Sequence, residues 1–128
     1  MIEWVLDSSA ILAFVQNEPG GETVAEMLPN AAVSANNLAE VVTRFWDHGI
    51  APGDIDALIA AFPFEVHAVD REAGLEIAAL RPATRHAGLS LGDRSCLVLA
   101  RRLNCPAVTA DRAWMKLKES EIEIRQLR

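Results

Sequence analysis

Short apolar runs alternate with amphipathic stretches along the whole of this 128-residue chain. "IEWVL" (2–6) predicts a short buried strand, and "SSAILAFV" after it predicts a helix opened by serine. "EPGG" (18–21) breaks that helix and "ETVAEML" supplies another. "AAVSA" (31–35) is a second strand. "NLAEVVTRFWDHG" (37–49) is helical, because Leu38, Val41, Val42, Phe45 and Trp46 recur at i, i+3, i+4, i+7 and i+8. Gly49 ends that helix and Pro52 helps to start the next, through about Ala61. "FEVHAV" (64–69) alternates like a strand, and "DREAGLEIAALR" (70–81) is a helix capped by Asp70. Then come a helix, "LGDRSCLVLARRL" (91–103), a strand, "AVTA" (107–110), and a short helix, "RAWMKLK". "EIEIRQL" (121–127) closes the chain as an alternating edge strand. Strands alternating with helices predict an α/β fold with a mostly parallel sheet of about five strands, covered on both faces. In such sheets ligands sit in the crevice outside the carboxyl ends of the strands.

No repeat, low-complexity tract or linker interrupts this order, so one domain over residues 1–128 is expected. Apolar residues make up 51% of the chain, enough for a core without disulfide staples. No apolar run approaches the ~18 residues of a membrane span. Glu3 and Asp7 stand where a signal peptide would carry basic residues. Together these predict a cytoplasmic protein with no membrane association, in which Cys96 and Cys105 are reduced thiols. The net charge of −6 argues against a non-specific nucleic-acid coat. If four of the eighteen acids are gathered on metal, the other fourteen nearly balance the twelve Lys and Arg, and a nucleic-acid substrate is permitted.

Four acids fall at strand–helix junctions. Asp7 ends the first strand, Asp111 follows "AVTA", and Glu40 and Asp93 lie in first turns of helices. Three have an ordinary structural account. Ser90 and Asp93 have capping-box spacing, as do Asn37 and Glu40 with Asn as the cap, and Asp111 can cap the helix beginning at Arg112. Glu40 also has the spacing of a solvated i,i+4 pair with Arg44, and the sequence leaves its direction open. Asp7 differs, since a charge at a buried strand end needs a partner. Four carboxylates converging without four basic partners would repel one another, and hard oxygen donors of this kind suit Mg²⁺ or Mn²⁺. Ser9 and Thr109 add hydroxyls at the same edge.

"LDSSAILAFV", "EPGGETVAEML", "SANNLAEVV", "LSLGDRSCLVLARRL" and "PAVTADRAW" resemble, in this order, the motifs of PIN-domain ribonucleases, specifically the VapC-type toxins of toxin–antitoxin pairs. The resemblance covers essentially the whole chain and implies a three-layer α/β/α fold with Asp7 on a central strand. It assigns Asp7, Glu40, Asp93 and Asp111 to a metal site, with Ser9 and Thr109 in support. Asn37 departs from the threonine that many relatives carry there. The implied reaction is endonucleolytic RNA cleavage by metal-activated water, leaving 5′-phosphate and 3′-hydroxyl ends, with a structured RNA such as tRNA often the substrate in this family. Asp7 and Asp93 would hold the metal, with Glu40 and Asp111 completing the shell or acting through water.

The resemblance also implies two protein partners, a small antitoxin and a second copy of the chain. Trp46 and Phe45 either line an antitoxin groove or belong to the core, and the core reading is preferred. Arg94 and Arg112, next to Asp93 and Asp111, are candidates for RNA contact; Arg85 and His86 read as exposed solubilising residues. His48, His67 and His86 show no paired spacing and receive no catalytic role. Two other classes stay in view. A phospho-acceptor receiver domain would need an acid pair after the first strand and a lysine after the fifth, and neither is present. A haloacid-type phosphatase would need an aspartate at the position of Ser9. A PIN-like module that only binds a partner is the third alternative, against which the complete acidic set argues.

Overall fold

In the computed structural model, residues 1–117 and 121–128 are described. Five short strands, β1 (Trp4–Leu6), β2 (Ala31–Ser34), β3 (Glu65–His67), β4 (Ala107–Thr109) and β5 (Ile124–Gln126), form one sheet in the order β3-β2-β1-β4-β5. Every pairing is parallel, with Val5 opposite both Ala32 and Ala107. The expected parallel α/β sheet is therefore present. A receiver domain has the order 2-1-3-4-5, so this order separates the chain from that alternative.

The helices are α1 (Ser8–Val15), α2 (Gly21–Met27), α3 (Ala35–Asp47), α4 (Pro52–Ala61), α5 (Arg71–Ala79), α6 (Arg81–Thr84) and α7 (Leu91–Leu103). Strand alternation divides the core into two layers. Leu6, Ala31, Val33 and Val108 face one side, where they pack with Ile11, Val24, Val41, Phe45 and Ile55 of α1 to α4. Val5, Ala32 and Ala107 face the other, against Cys96, Leu97 and Ala100 of α7 and the buried Trp114. Helical layers thus cover both faces, and the edge strands β3 and β5 are short and half exposed. Among the described residues no helix is long and apolar enough to cross a membrane. Cys96 and Cys105 are free thiols.

Several local expectations need correction. α1 is capped by Asp7, whose Oδ1 accepts from Ala10 N at 2.8 Å, so the serines sit inside the first turn. α3 starts at Ala35, two residues before the expected start at residue 37, with Ser34 as the cap accepting from Asn36 N. Asn37 is therefore interior rather than a cap. The stretch after "TAD" forms a 3-10 turn, Arg112–Lys116, rather than an α-helix; Lys118, the last residue of the expected helix, lies outside the described residues. Phe45 is core at 2% exposure, whereas Trp46 is 55% exposed. The helix expected over 70–81 ends at Ala79, and α6 begins at Arg81 with Pro82 in its first turn, followed by a 3-10 turn where no element is predicted. The caps by Asp70 and Ser90 stand as expected.

Candidate active site

The strand order reverses between β1 and β4, and the crevice opens at their carboxyl ends. Asp7 follows β1 at this point. It is 1% exposed and no basic side chain is paired with it among the described residues. Two hydroxyls serve it instead. Ser9 Oγ donates to Asp7 Oδ1 at 2.7 Å, and Thr109 Oγ1 donates to Asp7 Oδ2 at 2.5 Å. The backbone orients both hydroxyls. Ala110 N donates to Ser9 Oγ at 2.9 Å, and Asp111 N donates to Thr109 Oγ1 at 3.0 Å. With those lone pairs occupied by N–H groups, each hydroxyl proton points at the carboxylate.

These bonds do not offset the burial. Desolvation pushes the Asp7 carboxyl up from 3.8 to about 7, against the lowering effect of Thr109, Ala10 N and Ser9, and the charge of Asp93 adds to the rise. The Cys96 thiol beneath the crevice is likewise pushed up, by burial first and then by the fields of Asp7, Asp93 and Glu40. Three of the four acids therefore act on one buried spot.

Asp93 is in the first turn of α7. Its Oδ2 accepts from Ser90 N at 2.8 Å while Ser90 Oγ accepts from Asp93 N at 3.2 Å, a complete capping box. Asp111 caps the 3-10 turn through Oδ1, which accepts from Ala113 N at 2.9 Å, and Gln126 Nε2 donates to its carbonyl at 3.1 Å. Glu40 makes no ion pair with Arg44. Its Oε1 accepts from Asn37 Nδ2 at 3.0 Å, and its carboxylate lies where a Cβ on Gly92 would be. Glu40 thus reaches across to α7, one residue from Asp93, which settles the direction the sequence leaves open.

Asp93, Glu40 and Asp111 each commit one carboxylate oxygen to a local N–H and keep the other without a partner among the described residues. That donor set fits a hard divalent cation in chemistry. As arranged, no three of the described Asp, Glu, His and Cys side chains are grouped closely enough to hold an ion. Asp7, Asp93 and Glu40 all act on the buried Cys96 thiol and Thr109 links Asp7 to Asp111, but the acids do not meet at a point.

Arg94 does not face the crevice. Its Nη1 donates to the Ile77 carbonyl at 3.0 Å and its Nε to the Ser90 carbonyl at 3.4 Å, tying α7 to α5. Arg112 is exposed beside Asp111. His86 contacts the Lys116 carbonyl at 3.0 Å, and His67 pairs with Glu65 at 2.7 Å on the edge strand. Sequence reasoning read Asn37 only as a cap and gave no role to Gly92, which meets the Glu40 carboxylate, or to Asn36, which ties α3 to Ser95 of α7. A signal existed: two asparagines and a glycine in first helical turns are poor helix formers whose presence asks for a packing reason.

Among curated proteins, none matches the chain in sequence. Solved structures do match in fold. A chain of the DNA-bound VapBC structure from Salmonella typhimurium is similar with a TM-score of 0.74 at 18% identity, covering 100% of both chains. VapBC-1 from nontypeable Haemophilus influenzae gives 0.68 at 18% identity, covering 99% of this chain and 98% of that one. VapBC-5 from Mycobacterium tuberculosis, of the VapBC family of toxin–antitoxin systems, gives 0.64 at 25% identity, covering 98% and 99%. The PIN domain family model matches residues 4–119. With that match over most of its length and this sheet, the chain belongs to the PIN domain family.

Proposed function

We propose that this protein is a Mg²⁺- or Mn²⁺-dependent endoribonuclease, the toxin of a toxin–antitoxin pair. One observation carries the reading. Asp7 is a buried carboxylate at the crevice, given two hydroxyl donors and no cationic partner, with a second acid raising its proton affinity. Such a group is costly unless a cation arrives to keep it ionised.

Asp7 and Asp93 would hold the ion, with Glu40 and Asp111 as further ligands or acting through water. When bound, a divalent cation lowers the pKa of water and offsets charge developing on a phosphodiester. The chain's own residues do the rest. Ser9 and Thr109 aim the Asp7 carboxylate, the capping box holds Asp93 at the start of α7, and Gln126 steadies the backbone at Asp111. Arg112, exposed next to Asp111, would meet a phosphate, and the products would carry 5′-phosphate and 3′-hydroxyl ends.

The antitoxin partner is supported by the similar structures, which are of VapBC complexes. With Phe45 buried, the apolar surface open to such a partner includes the exposed Trp46 and the groove lined by Phe14, Val15, Leu28, Leu58 and Phe62. A homodimer is part of the same reading.

The test is cleavage of RNA by purified protein with Mg²⁺ or Mn²⁺, which EDTA and Asp7→Asn should each abolish. Cleavage that survives both would overturn the mechanism. In cells lacking an antitoxin, Asp93→Asn should be tolerated far better than wild type. Equal toxicity would remove Asp93 from the metal site.

A further inference from the structure

Asn37 and Glu40 lie one turn apart on α3, and the Asn37 amide donates two bonds. One goes to Glu40 Oε1 and one to the Gly92 carbonyl, each at 3.0 Å. Asn37 is fully buried, and its Oδ1 has no partner. Both neighbours are acceptors only, so the nitrogen must face them; the flipped amide would set Oδ1 against two oxygens. The arrangement leaves one buried carbonyl unpaired, a cost of the kind proteins rarely carry without a return. Gly92 completes it, because any Cβ there would overlap the Glu40 carboxylate. Beside it, Asn36 Nδ2 donates to Ser95 Oγ at 2.9 Å, and Ser95 Oγ donates to the Leu91 carbonyl at 2.8 Å. Two adjacent amides thus lace the start of α3 to the start of α7, and one of them also holds an acid.

We propose that Asn37 is a positioning residue. Its amide holds the carboxylate of the exposed Glu40 against Gly92 in the first turn of α7, the residue before Asp93. The inference rests on the reading of Glu40 as an acid of the metal site, and adds how this chain aims it. A hydroxyl at position 37 has one proton and serves the carboxylate or the Gly92 carbonyl, whereas the amide serves both. Asn37 itself contacts neither ion nor RNA.

The test uses the full chain as wild type, Asn36→Ala, Asn37→Ala, Asn37→Thr, Glu40→Ala and the double variant Asn37→Ala/Glu40→Ala. Mn²⁺ affinity is titrated directly, RNA cleavage is assayed alongside, and unfolding midpoints are recorded in EDTA. Asn37→Ala is expected to weaken Mn²⁺ binding and cleavage about 10- to 100-fold. Asn37→Thr should recover part of that loss. The double variant should be no worse than Glu40→Ala alone, because Asn37 acts through Glu40. Asn36→Ala should lower the midpoint with little change in Mn²⁺ affinity. A penalty from Asn37→Ala that persists undiminished in the Glu40→Ala background would overturn the proposal.

An independent readout needs no metal. In metal-free wild type, the Asn37 side-chain amide should give two ¹⁵N–¹H signals protected from exchange, one of which moves on Glu40→Ala. Rapidly exchanging signals indifferent to Glu40 would also overturn it. A wild type that neither binds Mn²⁺ nor cleaves RNA would sink the nuclease reading, and the amide signals would still decide whether Asn37 holds Glu40.

Discussion

The hydroxyl of Thr109, at the end of β4, donates to Asp7 Oδ2 at the end of the neighbouring strand β1, while its oxygen accepts from the Asp111 amide at 3.0 Å. One buried side chain therefore links two of the four acids. Thr109→Val keeps the shape but removes the donor from Asp7 and strands the Asp111 N–H. The expected cost is about 1–3 kcal/mol of stability, read from urea unfolding at pH 8, with reduced cleavage. Unchanged stability and activity would show that this link does not matter.

The Asp7 carboxyl sits near 7 in the folded, metal-free chain, against 3.8 ordinarily. Between these values the folded state binds more protons than the unfolded chain. Stability contributed by this group is thus full below about pH 4 and is lost as pH rises through about 7. At ~1.4 kcal/mol per pKa unit the fall is on the order of 4 kcal/mol. Urea midpoints in EDTA from pH 4 to 8 should show it, and a metal-free protein that gains stability over this range would refute it.

Asp7→Asn should remove that fall. The amide carries no charge to desolvate, so in EDTA at pH 8 the variant should melt higher than wild type while losing cleavage. Added Mn²⁺ should raise the melting temperature of wild type, more at pH 8 than at pH 5, and leave the variant nearly unmoved. A variant that melts well below wild type would indicate that Asp7 is needed for the fold.

Gly92→Ala places a Cβ against the Glu40 carboxylate. Helix propensity favours alanine by about 1 kcal/mol, which offsets part of the steric cost. The expected result is therefore a near-native unfolding midpoint with a large loss of Mn²⁺-dependent cleavage. Full activity would mean that the position of Glu40 is unimportant.

Arg94 and Arg112 should separate cleanly. Arg94→Ala removes the bond to the Ile77 carbonyl and should cost about 1 kcal/mol of stability, with RNA affinity unchanged. Arg112→Ala should leave stability alone, weaken RNA binding and flatten its salt dependence. The opposite pattern would reverse the two assignments.

The fold was legible because α3, α5 and α7 bury one face, which imposes a period of 3.6, while β1, β2 and β4, covered on both faces, read as short unbroken apolar runs. β1, β2, β4, α3, α5 and α7 all announce themselves this way, and the acids at their ends could be placed at one sheet edge from order alone. Asp111 caps the 3-10 turn and Asp93 is the third-position partner in the capping box begun by Ser90, so local capping fixes where both carboxylates stand.

Matters that depend on contacts between distant segments could not be read along the chain. The direction of Glu40 rests on Asn37 and on the missing Cβ of Gly92, fifty-five positions from Asn37. The bond from Arg94 to the carbonyl of Ile77, seventeen positions away, ties α7 to α5. The proton affinity of Asp7 rests on burial beneath strands and helices from the whole chain, with hydroxyls from Ser9 and from Thr109, 102 positions on. Local sequence specifies which face of an element is apolar; which side chain meets which across the crevice is set when the elements pack.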